Sequence, residues 1–262
     1  MWRTRAGDGA GRGCLRRWRA RLPRNRWVRL WLGCLGLLLF LCLLAILFYD
    51  LRPRAAPAAG MAAEGPLTLV IDPGHGGMDG GAVAADGTLE SGVNLSIAFR
   101  MYDLAGLLGL PAVLTRSAAE LNYPAEADTV RAKKVWDQKT RAALIASVKN
   151  GVLVSVHQNR FPDPRPSGPQ VLYGPAPGSK ALGERAQANL AAALDPGSRR
   201  VAAPAGEDIY LMKTAACPAI LAECGFLSNP GEAERLKTEG YQRCLALLLV
   251  GSVLQEAGNG GL

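Results

Sequence analysis

The stretch LTLVIDPGHGG, Leu67 to Gly77, runs from a β-branched and aliphatic segment directly into a glycine loop that carries a histidine. A short apolar run ending this way reads as a buried strand that delivers a loop at its tip. The pattern recurs at Gly151–Val156, which is followed by His157-Gln158-Asn159. His75 and His157 are the only two histidines among 262 residues, and both fall at such strand ends. Ligands for a single ion commonly come from strand ends and loops held by a rigid sheet. The placement therefore points to a metal site.

Working outward, further strand-like runs lie at Ala112–Thr115, Pro169–Tyr173, Asp208–Leu211 and Pro218–Glu223. Helical patterns separate them over Gly92–Leu108, Arg131–Lys149, Ser179–Leu194 and Pro230–Glu256. In the first of these, Val93, Ile97, Met101, Leu104 and Leu108 recur at three- and four-residue spacing, the period of a helix face. Strands alternating with helices imply an α/β fold, a single three-layer domain. We expect a mostly parallel central sheet of about six strands flanked by helices. In such sheets functional groups gather just beyond the strand ends.

The N-terminal part differs in kind. Residues 1–29 contain ten arginines and one acid, Asp8, so their +9 accounts for the whole chain's +8 and leaves the remainder near −1. The basic balance thus gives no reason to assign nucleic acid as a partner of the folded domain. Leu30–Tyr49 is twenty residues without a charge. As a helix it would be ~30 Å long, the thickness of a bilayer's hydrocarbon core. Trp27, Trp31, Phe48 and Tyr49 lie near its ends, where aromatic rings favour the interface. The expectation is a basic cytoplasmic segment (1–29), a transmembrane anchor (30–49), a Pro/Ala/Gly-rich linker (50–66) and an extracytoplasmic catalytic domain (67–262). A cleaved signal peptide is the rival, because Ala56-Pro57-Ala58 offers small residues to a peptidase. The apolar run is longer than the usual signal core, which favours an uncleaved anchor. Cys217, Cys224 and Cys244 cannot all pair and form no CxxC, so they read as small buried hydrophobes.

The glycine loop fits neither the Walker pattern nor GxGxxG, so its glycines serve close approach to an ion or substrate rather than phosphate. Two carboxylates complete the picture. Glu90 starts the first helix, where an acid is favoured on electrostatic grounds alone. Glu223 closes the apolar run Ala219-Ile-Leu-Ala-Glu223, with no basic partner in sequence. Burial there would cost several kcal/mol unless the carboxylate is paired, and would raise its proton affinity toward that of a general base. Taken singly, Glu90 is a helix-start acid and His157 a packed strand-end histidine. Together the four residues match a known catalytic zinc arrangement, two histidines and one glutamate with an open fourth position, plus a spare glutamate to take the proton of the attacking water.

These segments resemble the zinc-dependent N-acetylmuramoyl-L-alanine amidases of the Amidase_3 type, over about Leu67–Val253. The matching motifs are the DPGHGG loop Asp72–Gly77, the pair Glu90/Asn94, Ser155–Asn159, and Glu223–Asn229. The resemblance implies that His75, Glu90 and His157 bind Zn²⁺ and that Glu223 is the catalytic glutamate. It implies a peptidoglycan substrate, cleaved between N-acetylmuramic acid and L-alanine. The segment around His157–Pro164 and Ser167–Tyr173 further resembles the sporulation amidases of the CwlD type. That points to spore-cortex peptidoglycan, muramic-δ-lactam formation and a site in the forespore's surroundings. After Thr115-Arg116 many relatives carry an acid soon after the arginine, whereas this chain has Ser117-Ala-Ala-Glu120, so no role is assigned to that loop. No long inserted helix stands near the site, and activation by a partner protein stays open. Two other functions are weighed: a non-catalytic peptidoglycan-binding scaffold on the same fold, which the absence of any of the four residues would favour, and a zinc peptidase acting on wall peptides, which uses the same chemistry.

Overall fold

The computed structural model describes residues 25–50 and 65–262. The expected basic segment 1–29 and linker 50–66 lie almost wholly outside those residues. The chain divides into two units, each taken by itself. In the first, helix α1 (Arg26–Asp50) forms over the uncharged run. Among the described residues no helix is long and apolar enough to cross a membrane. The transmembrane expectation therefore rests on the sequence alone.

The second unit is a six-stranded sheet in the order β2-β1-β3-β6-β4-β5. Its strands are β1 (Thr68–Pro73), β2 (Ala112–Leu114), β3 (Gly151–Asn159), β4 (Gln170–Tyr173), β5 (Ala203–Pro204) and β6 (Ala219–Phe226). All neighbouring pairs are parallel except β4 with β6. Alternation along the strands divides the core in two, since successive side chains point to opposite faces. Leu69, Ile71, Val152, Val154 and Ile220 pack against α2 (Glu90–Leu107), α4 (Ser179–Leu194) and α7 (Glu239–Gly258). Val70, Leu153, Ala219 and Leu221 pack against α3 (Val130–Ser147) and α5 (Tyr210–Thr214). The expected three-layer α/β domain is what forms.

The elements differ from expectation in three places. Asp208–Leu211 is not a strand: the chain turns there and enters α5, whose Met212 is fully buried in the second core. A four-residue apolar run suits a strand and a helical turn equally, and packing decided for the turn. The sixth strand is instead Ala203–Pro204, paired with Leu172 and Tyr173. A proline without an N–H is tolerated there because β5 is the sheet's edge. The single helix expected over Pro230–Glu256 is two, α6 (Pro230–Lys237) and α7, divided at Thr238. Thr238 ends α6 and caps α7, its hydroxyl accepting from Tyr241 N. The three cysteines Cys217, Cys224 and Cys244 are free, and Cys224 is fully buried.

Candidate metal centre and active site

The parallel register of β1, β3 and β6 brings the tips of three strands together. β1 ends at Pro73 opposite Val156, and His157 lies beside Glu223 on the neighbouring strand. Both β3 and β6 run on past these two residues, and a register shift between His157 and Asn159 marks where their pairing becomes irregular. α2 begins at Glu90, two residues before the expected Gly92, and its first turn points at the same place.

His75, Glu90 and His157 converge there, with one ligand atom from each lying within 4.8 Å of the others. His75 Nε2 is 3.3 Å and His157 Nδ1 3.1 Å from the same oxygen, Glu90 Oε1. Glu90 is buried at 3% exposure, so its charge must be met by polar partners. Oε1 accepts from Asn94 Nδ2 and from the Gln158 backbone N–H, and Oε2 accepts from Ala82 N. Burial opposes its ionisation, but the two imidazoles outweigh that and hold the carboxyl far below its ordinary range. Burial likewise disfavours charge on His75, yet its bonds to Asp79 and Glu90 lift it to about 9.

Glu223 stands next to this cluster on β6. Burial pushes its pKa up to about 7, offset in part by His157. Its Oε2 is buried with no hydrogen-bond partner among the described residues. An ionisable oxygen desolvated and left unpaired at the floor of a cleft is suited to hold and release a proton. The cleft holds about 290 Å³ and is lined by His75, His157 and Glu223 together with Lys134, Gln138 and Tyr210.

The residues that set the loop's shape were not legible in the sequence. Asp72 is fully buried and accepts from Ser155 Oγ (2.6 Å), Thr115 Oγ1 (2.5 Å) and Arg141 Nη1 (2.9 Å). Burial works against its charge, but Arg141 and the two hydroxyls hold its carboxyl below the ordinary range. Arg141 also donates to the carbonyls of Pro73 and His75, and Arg116 to those of Pro73, Gly74 and Ser91. These donors hold His75 at φ 61°, a left-handed conformation unusual for a side chain of its size. Arg116 thus works through its own side chain, whatever follows it in sequence. Gly74 lies against the His157 ring, and a Cβ there would overlap the imidazole.

A carboxylate of raised pKa beside a His–Glu–His cluster, at the carboxyl ends of parallel strands, is the equipment of a hydrolase that activates water. The chain belongs to the Amidase_3 family of N-acetylmuramoyl-L-alanine amidases, whose model matches residues 69–254. It is therefore an enzyme of that kind, an amidase acting on the bond between N-acetylmuramic acid and L-alanine in peptidoglycan. The germination-specific N-acetylmuramoyl-L-alanine amidase of Bacillus subtilis is 32% identical over 205 residues, 78% of this chain and 83% of that protein. The CwlD amidase of Clostridioides difficile, solved in complex with the GerS lipoprotein, superposes with a TM-score of 0.70 at 32% identity, covering 73% of this chain and 98% of that one. The amidase AmiC2 of Nostoc punctiforme gives 0.62 at 29% identity, over 74% of this chain and 98% of its own.

Proposed function

We propose that the chain is a zinc-dependent amidase in which His75, Glu90 and His157 hold the ion and Glu223 moves the proton. The observation that carries this is the convergence of two imidazole nitrogens on one buried carboxylate oxygen at 3.1 and 3.3 Å. Donors bonded to one ion at ~2 Å in a tetrahedron stand about 3.3 Å apart, so the set fits a small divalent cation such as zinc. Glycines at positions 74 and 81 keep the space clear, since a Cβ at Gly81 would meet Glu90 and His75.

A bound divalent cation supplies positive charge that polarises the scissile carbonyl and acidifies water. The chain's own groups do the rest. Glu223 takes a proton from the attacking water at its unpaired Oε2 and returns it to the departing amine of L-alanine. Asn94 and the Gln158 N–H hold Glu90 in place while this happens. The cleft between the strand tips and α3 receives the stem peptide.

The substrate we propose is spore-cortex peptidoglycan, with cleavage as the step that opens muramic-δ-lactam formation. The likeness to a germination-specific relative supports this, as do the His157–Pro164 and Ser167–Tyr173 segments. We further propose that Leu30–Tyr49 anchors the chain, with the arginine-rich N-terminus cytoplasmic, the catalytic domain (67–262) outside in the forespore's surroundings, and 50–66 as linker. The support is the uncharged run and its arginine flank. A partner protein is part of the proposal, because the CwlD relative was solved with one.

Metal analysis tests the core of it. Full-length chain should carry about one zinc per molecule, and H75A or H157A should lose both the ion and all muropeptide cleavage, since no third histidine can substitute. Full activity in a chelator-stripped protein would overturn it.

A further inference from the structure

We infer that Asp79 is the positioning residue that makes His75 an Nε2 ligand, so that the two imidazoles offer different nitrogens to the cation. The inference rests on the metal site proposed above. His75 Nε2 faces Glu90 Oε1, whereas His157 turns its Nδ1 to the same oxygen. The other nitrogen of His75, Nδ1, lies 3.1 Å from Asp79 Oδ2. A carboxylate accepting at Nδ1 draws the ring proton there and leaves the Nε2 lone pair for an ion.

Asp79 is itself well fixed. Its backbone exchanges two hydrogen bonds with Gly76, at 2.8 and 3.0 Å, closing the loop on itself. Gly81 N donates to Oδ1 at 3.4 Å, and Lys134 Nζ from α3 pairs with Oδ2 at 3.1 Å. The two histidines need different support. His157 lies on β3 with its ring against Gly74, so the strand and that glycine define its orientation. His75 sits in a loop at φ 61° with a quarter of its side chain exposed, and its ring can turn unless something holds Nδ1. Asp79 supplies that hold, and Lys134 keeps the carboxylate turned toward the loop.

Because the chain has only two histidines, nitrogen-labelled imidazole spectra of the zinc-loaded, full-length protein contain just two rings, and the one that responds to D79A is His75. Wild type should show one proton on Nδ1, from His75, and one on Nε2, from His157, with the Nδ1 proton protected from exchange. Two rings protonated at the same nitrogen would overturn the inference. D79A should weaken zinc binding ~10–100-fold in chelator competition and expose the Nδ1 proton to exchange. D79N, which keeps an acceptor oxygen without the charge, should recover part of the affinity. D86A, a carboxylate of the same loop paired to Lys237 instead, should match wild type. Zinc affinity within twofold of wild type in D79A, with the Nδ1 proton unchanged, would dismiss Asp79. Failure of wild type to bind zinc would instead overturn the metal site on which the inference rests.

Discussion

At the scale of single residues, burial sets the chemistry. Glu223 is raised to about 7 because β6 carries it out of water, so it ionises near neutrality. The proposed role as base requires the ionised form, and the proposed dication nearby would favour that form further. The acid limb of kcat/KM should therefore fall at or below about pH 7. E223Q should keep zinc, lose cleavage by ~10²–10⁴-fold and lose that limb, as removal of a general base does; steady-state rates across pH check this. Asp72 shows the opposite displacement, its carboxyl held below the ordinary 3.8. Its ionised form is preferred in the folded state, so the stability it contributes is whole above pH 3.8 and is lost as pH falls below that value through the folded one. D72N should cost ~1–3 kcal/mol in urea unfolding, because the buried Arg141 guanidinium loses one of its two carboxylate partners and keeps only Asp137, and should flatten the acid dependence of stability. An unchanged acid dependence would show that Asp72 is not the group responsible. Neither Asp72 nor Arg141 was assigned from sequence, since a charged residue within a helix as polar as α3 reads as surface. The four proposed site residues stood out in the sequence for the contrary reason: each stands at the edge of an apolar element, where a polar group needs a purpose.

At the scale of elements, β1, β2, β3, β4 and β6 were legible, whereas α5, β5 and the break between α6 and α7 were not. β1, β3 and β6 follow from continuous aliphatic runs, and parallel pairing from the helices between them. Asp208–Leu211 was too short for its period to distinguish strand from helical turn, and Met212 settled it by filling the core. β5 left no trace in sequence because two paired residues, one of them proline, make no pattern. The break at Thr238 did leave one: a threonine before Glu239 is an N-cap signal in the middle of the segment read as one helix. T238A should cost ~1 kcal/mol, the usual worth of such a cap. Gly74 joins an element to the site. G74A should leave thermal unfolding of the domain nearly intact but push His157 aside and abolish zinc uptake, which calorimetry and metal titration separate. Normal zinc binding in that variant would mean the His157 ring is not confined as the structure has it.

At the scale of the whole molecule, the sheet order places β1, β3 and β6 side by side, so the loop after β1 and residues near the ends of β3 and β6, far apart in sequence, meet at one cleft. The fold thereby provides a rigid floor, with Arg116 and Arg141 holding the carbonyls of the His75 loop and residues of α3 lining the cleft. Digestion of intact peptidoglycan sacculi with zinc-loaded, full-length protein tests the central claim most directly, with the new ends identified by mass spectrometry. The account predicts muramic acid with an unsubstituted lactyl carboxylate and stem peptides with a free L-alanine amine, and neither product from E223Q. New ends only between amino acids, or the same products from E223Q at the wild-type rate, would contradict it.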